Sequence, residues 1–444
     1  MLKEDTFVKH LIFTLLVIAV GSMPALAKYS GGTGISGNPY QIANVADLMT
    51  LANDANDYNK CFVLTADIDL DPNLPGNQVF TNAVIANGEQ IPFAGVFDGS
   101  NNKVRNLVID TQGASGSRLG LFGATESDSN IRELRLENAL IHTGNESGRL
   151  GLLVGYNAGN ITNCSATGRI LAEGDWTYYI GGLIGWNEEG TISRCRSDVS
   201  VSGFYGIGGL VGVNNFGVIF QCCAYGETIG ADGAGGLVAG SSGTIIQCYA
   251  TGRVVGTYNG TGGLVGSGSG TILNCYATGE VSGNYYVGGL DGGGASMITN
   301  SYSSGRVSGE AYVGGLAGNG SGISNCYFLD IAGPNNGAGT PLTDTQMKQQ
   351  GNFVSWDFVW ETANGPNDIW AICEGVSYPK LAWQFIAGDS DNDKDVDFTD
   401  FAPLANKWMQ ADSNLYCGGT DLTGDGLVNL DDLAALAENW LQGF

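Results

Sequence analysis

Apolar positions recur along this chain with a period that no single helix or strand could set. The phrase GGLIG at 181 returns as GGLVG at 208, GGLVAG at 235, GGLVG at 262, GGLDG at 288 and GGLAG at 314, in steps of 27, 27, 27, 26 and 26 residues. Looser copies, GLLVG at 151 and GLFG at 120, extend the series upstream. A second phrase keeps close to the same step after its first copy: ITNCSATG, ISRCRSDV, IFQCCAYG, IIQCYATG, ILNCYATG, ITNSYSSG and ISNCY. Its isoleucines (Ile161, Ile192, Ile219, Ile245, Ile272, Ile298, Ile323) stand three residues before Cys164, Cys195, Cys222, Cys248, Cys275, Ser301 and Cys326.

One residue type returning at a fixed step is what a parallel solenoid demands, because each coil stacks on the last at about 4.8 Å and equivalent side chains form ladders. Leu183, Leu210, Leu237, Leu264, Leu290 and Leu316 form a second such row. Isoleucine and cysteine lie an odd number of positions apart, so both face inward only if the chain bends between them. The residue before the cysteine is often Asn (163, 274, 300, 325), a type that tolerates left-handed backbone, which places the bend there. A coil of this length suits three short strands and three turns. The fold class is therefore mostly β, a parallel β-solenoid or β-helix, with a small α-helical C-terminal module.

The flanks divide the rest of the chain. Residues 28–115 carry alternating stretches such as KCFVLTADIDL, which predict strands that enter and cap a solenoid over residues 116–330. Residues 331–386 break the repeat. Thr343 and Gln346 suit a helix capping box, and Trp356, Trp360, Trp370 and Trp383 supply bulk to close the far end. Residues 387–444 are a separate acidic module. Residues 1–27 read as an export signal: Lys3 and Lys9, then an apolar run from Leu11 to Val20, then the small-residue site Ala25-Leu26-Ala27. That run is shorter than the ~20 residues of a membrane span, and no later segment qualifies.

Composition narrows the chemistry. Glycine is 71 of 444 residues and the formal net charge is −25. Nucleic acid is excluded as a partner, and anionic polymers are repelled at long range. Of two histidines only His142 remains after the signal, within ALIHTGN, and it reads as a plain structural residue at a strand end. Ten cysteines in an exported chain invite disulfides, yet stacked cysteines project in parallel with Cβ atoms farther apart than the ~3.8 Å a bridge prefers, so the row reads as buried free thiols. Cys61, Cys373 and Cys417 stand outside it with no pairing that the sequence gives. Glu227, Arg253, Glu280 and Arg306, one per coil, alternate in sign along one stack and read as structural pairs.

Two groups could carry function on the solenoid. Tyr179, Tyr205, Tyr286 and Tyr312 precede the GG phrase, with Trp176 and Trp186 near the first, and outward-facing they would offer a stacking surface for sugar rings. Glu173, Asp175, Glu188 and Glu189 surround the two tryptophans; a glycosidase would need two such acids ~5–9.5 Å apart, and the surface reading of these acids is the plainer one. Asp291 replaces an apolar residue in GGLDG without an evident partner.

The acidic module has a sharper pattern. Asp389, Asp391, Asp393, Asp397 and Asp400 fall at positions 1, 3, 5, 9 and 12 of a loop, with the backbone carbonyl of Asp395 at position 7. This is the rhythm of a calcium loop, in which oxygens surround a hard cation. A second copy 32 residues on supplies Asp421, Thr423, Asp425, Leu427 (carbonyl), Asn429 and Asp432, with Gly426 at the sharp sixth position, where the first loop has Lys394. The helices that follow match as well: Phe401, Leu404, Trp408 and Met409 against Leu433, Leu436, Trp440 and Leu441. Two Ca2+ ions are the predicted cofactors.

The GGLVG and NCYATG phrases resemble the GLUG repeat of bacterial exported proteins, over about residues 119–329. The terminal pair resembles a dockerin module, whose loops likewise end in Asp at position 12, as Asp400 and Asp432 do. The first resemblance implies surface or extracellular roles without shared catalytic residues. The second implies docking to a cohesin-like or other extracellular protein, although Phe398-Thr399 and Leu430-Asp431 replace the small hydroxyl pair common in dockerin recognition faces. The sequence thus predicts a secreted, non-catalytic solenoid for adhesion or for binding a polysaccharide or surface partner, with calcium-dependent docking. The alternative is a polysaccharide-degrading glycoside hydrolase attached through the same module.

Overall fold

Four strands, not three, make one coil of the repeat. The computed structural model describes residues 28–87, 90–295, 297–359, 365–385, 389, 396–412, 417 and 419–440, so the predicted signal and Trp360 lie outside the described residues. In one full coil, Tyr178–Gly181 belongs to sheet I, Ile184–Glu188 to sheet II, Thr191–Ser193 to sheet III and Arg196–Ser202 to sheet IV. Among the described residues these sheets have 8, 6, 11 and 16 strands, and coil-to-coil pairing is parallel throughout. The extra corner is the GGL phrase itself. A Cβ on Gly182 would lie 2.3 Å from the Gly209 carbonyl oxygen of the next coil, so only glycine lets consecutive corners stack. Leu183 N–H then donates to Leu210 O at 2.9 Å, and the step repeats from Leu210 to Leu237 and from Leu237 to Leu264.

The bend between isoleucine and cysteine lies where the odd spacing requires. Asn163, Arg194, Gln221, Gln247, Asn274, Asn300 and Asn325 all have φ between 47° and 53°, which turns sheet III into sheet IV and aims both flanking side chains inward. Ile161, Ile192, Ile219 and Ile245 are fully buried in register. Their row continues upstream through Ile131 and Phe97 to Phe62. Sheet III therefore runs unbroken from Tyr40–Ile42, and residues 28–115 contribute strands to the stack. Its open end is covered by α1, Val45–Asn53, a helix unforeseen in the sequence; Asn44 caps it and Leu48 and Leu51 are fully buried.

All seven cysteines and serines of the inner row are buried, and the cysteines are free. Thr343 and Gln346 form the predicted capping box on α2, Asp344–Met347. Trp356, Trp370 and Trp383, however, do not plug the far end. Trp356 and Trp370 lie on the outer face of sheet IV, packed with Tyr249, Tyr276, Tyr302 and Tyr327 from four successive coils. Trp383 reaches back to donate to Gln247 O at 2.9 Å, and Tyr302 Oη donates to Pro379 O at 2.7 Å. The tyrosine that follows the inner row in these four coils, after Cys248, Cys275, Ser301 and Cys326, is the reason: it points outward, and burying that stack needs a lateral cover. A disulfide, Cys373–Cys417, ties this cover to the C-terminal module, where α3 (Phe398–Asn406) and α4 (Leu430–Glu438) share a small core of Val396, Leu404, Leu422, Val428 and Leu436.

Candidate functional site

In every coil, sheet I contains one residue with left-handed backbone. The row reads Arg118, Arg149, Tyr179, Gly206, Gly233, Gly260, Tyr286 and Tyr312, with φ of 54°, 58°, 59°, 66°, 69°, 67°, 55° and 54°. Its register follows from the flanking pairs, for example Tyr178 with Tyr205 and Ile180 with Ile207. Glycine adopts such a conformation freely, whereas an arginine or tyrosine is strained there by roughly 1–3 kcal/mol. Large side chains are retained at five of eight rungs all the same, and the three glycines stand together in the middle.

The large rungs form walls. Tyr286 and Tyr312 stack with centroids 4.6 Å apart and planes 5° from parallel. Tyr179 packs edge-on against Trp186 of sheet II at 4.9 Å. Between the walls a Cβ on Gly233 would meet only Gly206 backbone, at 3.7 Å, so the floor is open main chain. Sheet II borders this floor with the small residues Val213, Gly240 and Ser267, which are in register with Trp186. From Tyr179 to Tyr286 is four coil steps, about 19 Å at the strand spacing, a length that suits a run of sugar rings.

The six aromatic residues singled out from the sequence thus separate. Tyr179, Trp186, Tyr286 and Tyr312 line this strip. Tyr205 sits on the adjoining row, and Trp176, 60% exposed in the turn before Tyr178–Gly181, has its ring 6.1 Å from that of Tyr205, with Phe204 at 4.5 Å from Tyr205. Sequence reasoning missed Arg118, Arg149 and Tyr156. The signal was present, because SRLG and GRLG align with YYIG once the repeat is carried upstream.

The acids near the tryptophans have separate engagements. Glu188 accepts from Trp186 Nε1 at 2.6 Å and from Asn215 Nδ2 at 2.9 Å. Glu173 lies 3.4 Å from His142 Nε2, while Asp110 lies 3.4 Å from His142 Nδ1 and, with Glu173, raises the histidine pKa. Asp175 and Glu189 are exposed. Asp291 stands fully buried in the inner row of sheet II between Val265 and Ala317, with one oxygen accepting from Ala295 N–H at 3.4 Å and Oδ1 unpartnered. Burial pushes its carboxyl up to about 8.

In the acidic module, Asp391, Asp393 and Asp395 lie outside the described residues, while Asp389 and Asp400 are buried and Asp397 caps α3. The second loop is complete. Asp421 accepts from Gly424 and Gly426 N–H at 2.8 and 2.7 Å, and Asp432 Oδ1 accepts from Leu422 and Thr423 N–H at 2.7 and 2.9 Å. Asp425 accepts from Leu427 N–H, and Asn429 donates to the Leu427 carbonyl and caps α4. Gly426 takes φ 89° at the sixth position. Among the described residues, no three His, Cys, Asp or Glu side chains converge as a metal group. The donor set is all oxygen, its end carboxylates are buried, and Val396 and Val428 occupy equivalent buried positions, features that fit a hard cation.

The model of the GLUG motif matches residues 146–171, which run from the turn before the Arg149 rung through sheet IV of the same coil. A stretch of 172 residues, 38% of this chain, is 34% identical to halomucin of Haloquadratum walsbyi, and the match spans 2% of that protein's length. A solved structure described as a candidate immunoglobulin A1 protease from Bacteroides ovatus shares 18% identity, covering 81% of this chain and 96% of its own, with a TM-score of 0.47.

Proposed function

We propose that the solenoid is a secreted, non-catalytic binding protein that holds a polysaccharide along the strip from Tyr179 to Tyr312. The observation that carries this reading is the retention of tyrosine at left-handed rungs where glycine serves in three neighbouring coils. Local strain kept against an available relief is expected where a side chain has work at the surface. Affinity electrophoresis of the mature chain through gels containing soluble polysaccharides tests it. Retardation by at least one polymer, lost in Tyr286→Ala/Tyr312→Ala, is expected. Release of reducing ends by the wild type would instead favour the glycoside hydrolase reading.

The same proposal assigns two Ca2+ ions to the C-terminal pair. Asp389, Asp391, Asp393, Asp397 and Asp400 with the Asp395 carbonyl would hold one; Asp421, Thr423, Asp425, Asn429 and Asp432 with the Leu427 carbonyl would hold the other. The bound ions neutralise the loops, and the two helices would then present a docking surface for a cohesin-like or other extracellular protein. Calorimetric titration with calcium should give two sites per chain, and Asp432→Ala should leave one.

A further inference from the structure

We infer that Arg118 and Arg149 form a recognition site for the oxyanion of an acidic sugar, a uronate carboxylate or a sulfate ester, at the N-terminal end of the aromatic strip. This rests on the polysaccharide-binding reading and names the ligand class. The two arginines occupy successive rungs, since Ser117 pairs with Gly148 and Leu119 with Leu150. Arg118 Cζ lies 5.1 Å and Arg149 Cζ 5.8 Å from the centre of the Tyr156 ring, and Arg149 also lies 5.7 Å from that of Trp186. Aromatic rings therefore fix both guanidinium planes from the side.

Their charge is unanswered. Three other arginines take acids (Arg105 pairs with Asp67 and Glu137, Arg132 with Asp98, and Arg253 with Glu227 and Glu280), whereas Arg135 and Arg194 meet amide oxygens and Arg196 a tyrosine ring. Among the described residues Arg118 and Arg149 form no ion pair, and the Nε of each is buried without a hydrogen-bond partner. The acids whose charge reaches Tyr156 are Glu188 and Glu126, and Glu188 is already bonded to Trp186 and Asn215. Two like charges on adjacent rungs, each at strained φ and neither paired with an acid, are placed to hold an anion through their terminal N–H groups.

The overall charge of −25 does not forbid this. Surface repulsion is screened beyond about 8 Å at physiological ionic strength, whereas a contact made at hydrogen-bond distance against stacked rings is screened far less. A polysaccharide running along the strip would thus lay one ring on the glycine floor and present the acid group of another ring, beyond Tyr179, to the arginines.

Three gels decide the matter, containing polygalacturonate (carboxylate), carrageenan (sulfate) or pullulan (neutral), run at about 0.15 M salt. We expect retardation by at least one acidic polymer, and the stronger of the two names the anion. Arg118→Gln/Arg149→Gln should weaken it on the order of 10-fold or more, as expected for loss of charge-assisted bonds. If pullulan retards the wild type and the double variant equally and the acidic polymers add nothing, the anion site is refuted while polysaccharide binding stands. No retardation in any gel would overturn both. Should the double variant fail to fold, Arg149→Met, which keeps the aliphatic packing on Trp186, is run in the same gels: weaker retardation by the acidic polymer supports the site, and unchanged retardation refutes it.

Discussion

The backbone N–H of Cys195 donates to Cys222 Sγ, one coil further on, at 3.3 Å. Cys222 N–H does the same to Cys248 at 3.3 Å, and Cys248 to Cys275 at 3.4 Å. At the one rung without cysteine, Ser301 Oγ accepts from Cys275 N–H at 3.0 Å and donates to Thr299 O at 2.8 Å. The cysteine row is thus an acceptor ladder for amides that the left-handed corner leaves unpaired, as well as apolar filling. Cys248→Ser should be tolerated within about 1 kcal/mol, because the hydroxyl repeats both bonds. Cys248→Ala strips the acceptor from Cys222 N–H and should cost about 1–3 kcal/mol more in urea unfolding.

Burial also raises the thiol pKa of Cys164, Cys195, Cys222 and Cys248 well above the ordinary range. A thiol reagent at pH 8 should therefore label the half-exposed Cys61 in the native protein, and the inner row only after unfolding. Rapid native labelling of the row would mean that the coils open far more often than a continuous core allows.

A second ladder, of amides, runs inside sheet II. Asn187 Nδ2 donates to Asn214 Oδ1 at 2.8 Å and to Gly190 O at 2.9 Å, while its own Oδ1 accepts from Asn157 Nδ2 at 2.7 Å. All three asparagines are fully buried. Asn187→Leu keeps the volume but strands an amide above, an amide oxygen below and a glycine carbonyl, so a loss of at least about 2 kcal/mol is expected in chemical denaturation. Asn187→Ser should cost less, since Ser241 closes the same ladder by accepting from Asn214 at 3.3 Å.

What was legible followed from local rules. The odd spacing of isoleucine and cysteine can be satisfied only by a corner, and Asn163 and its equivalents are left-handed there. The capping box needs only Thr343 and, three residues on, Gln346, and the sequence displays both. Legibility failed where the deciding partner is far away in the chain. Tyr276 looks like one more repeat position until Gln384, 108 residues on, meets its hydroxyl at 2.9 Å. The Asn157, Asn187 and Asn214 row was visible as an asparagine two or three residues before a glycine in each coil, but its burial depends on a fourth strand that the 26-residue period does not announce. The left-handed rung of sheet I was hidden because arginine, tyrosine and glycine share no property except the backbone they adopt.

Asp291 makes stability depend on pH with an unusual sign. Its carboxyl titrates near 8 in the folded chain, against about 4 when unfolded. Below pH 4 both states hold the proton and nothing is lost. Between 4 and 8 the unfolded chain releases it while the folded chain keeps it, so stability falls by up to about 1.4 kcal/mol per pH unit and levels off above 8. Subtracting the profile of Asp291→Asn from that of the wild type should isolate this descent. Asp291→Val, which restores the residue of the Val265 rung, should raise the melting temperature at pH 7. A flat difference profile would show that the carboxyl is solvated when folded.

Tyr286 weighs stability against function most directly. Its φ of 55° strains any side chain, whereas Gly206, Gly233 and Gly260 occupy the same rung at φ near 67° without one. Tyr286→Gly removes roughly 1–3 kcal/mol of strain and forfeits the stack on Tyr312, itself of order 0.5–1.5 kcal/mol. Unfolding should therefore shift little, and toward greater stability if it shifts at all. Binding should respond in the opposite direction, since the wall at the C-terminal end of the glycine floor is gone, and gel retardation by polysaccharide should weaken several-fold. Tyr312→Gly should behave alike, because the two rings form one surface at 4.6 Å. Loss of stability together with unchanged binding would mark both tyrosines as structural and move the site away from this strip.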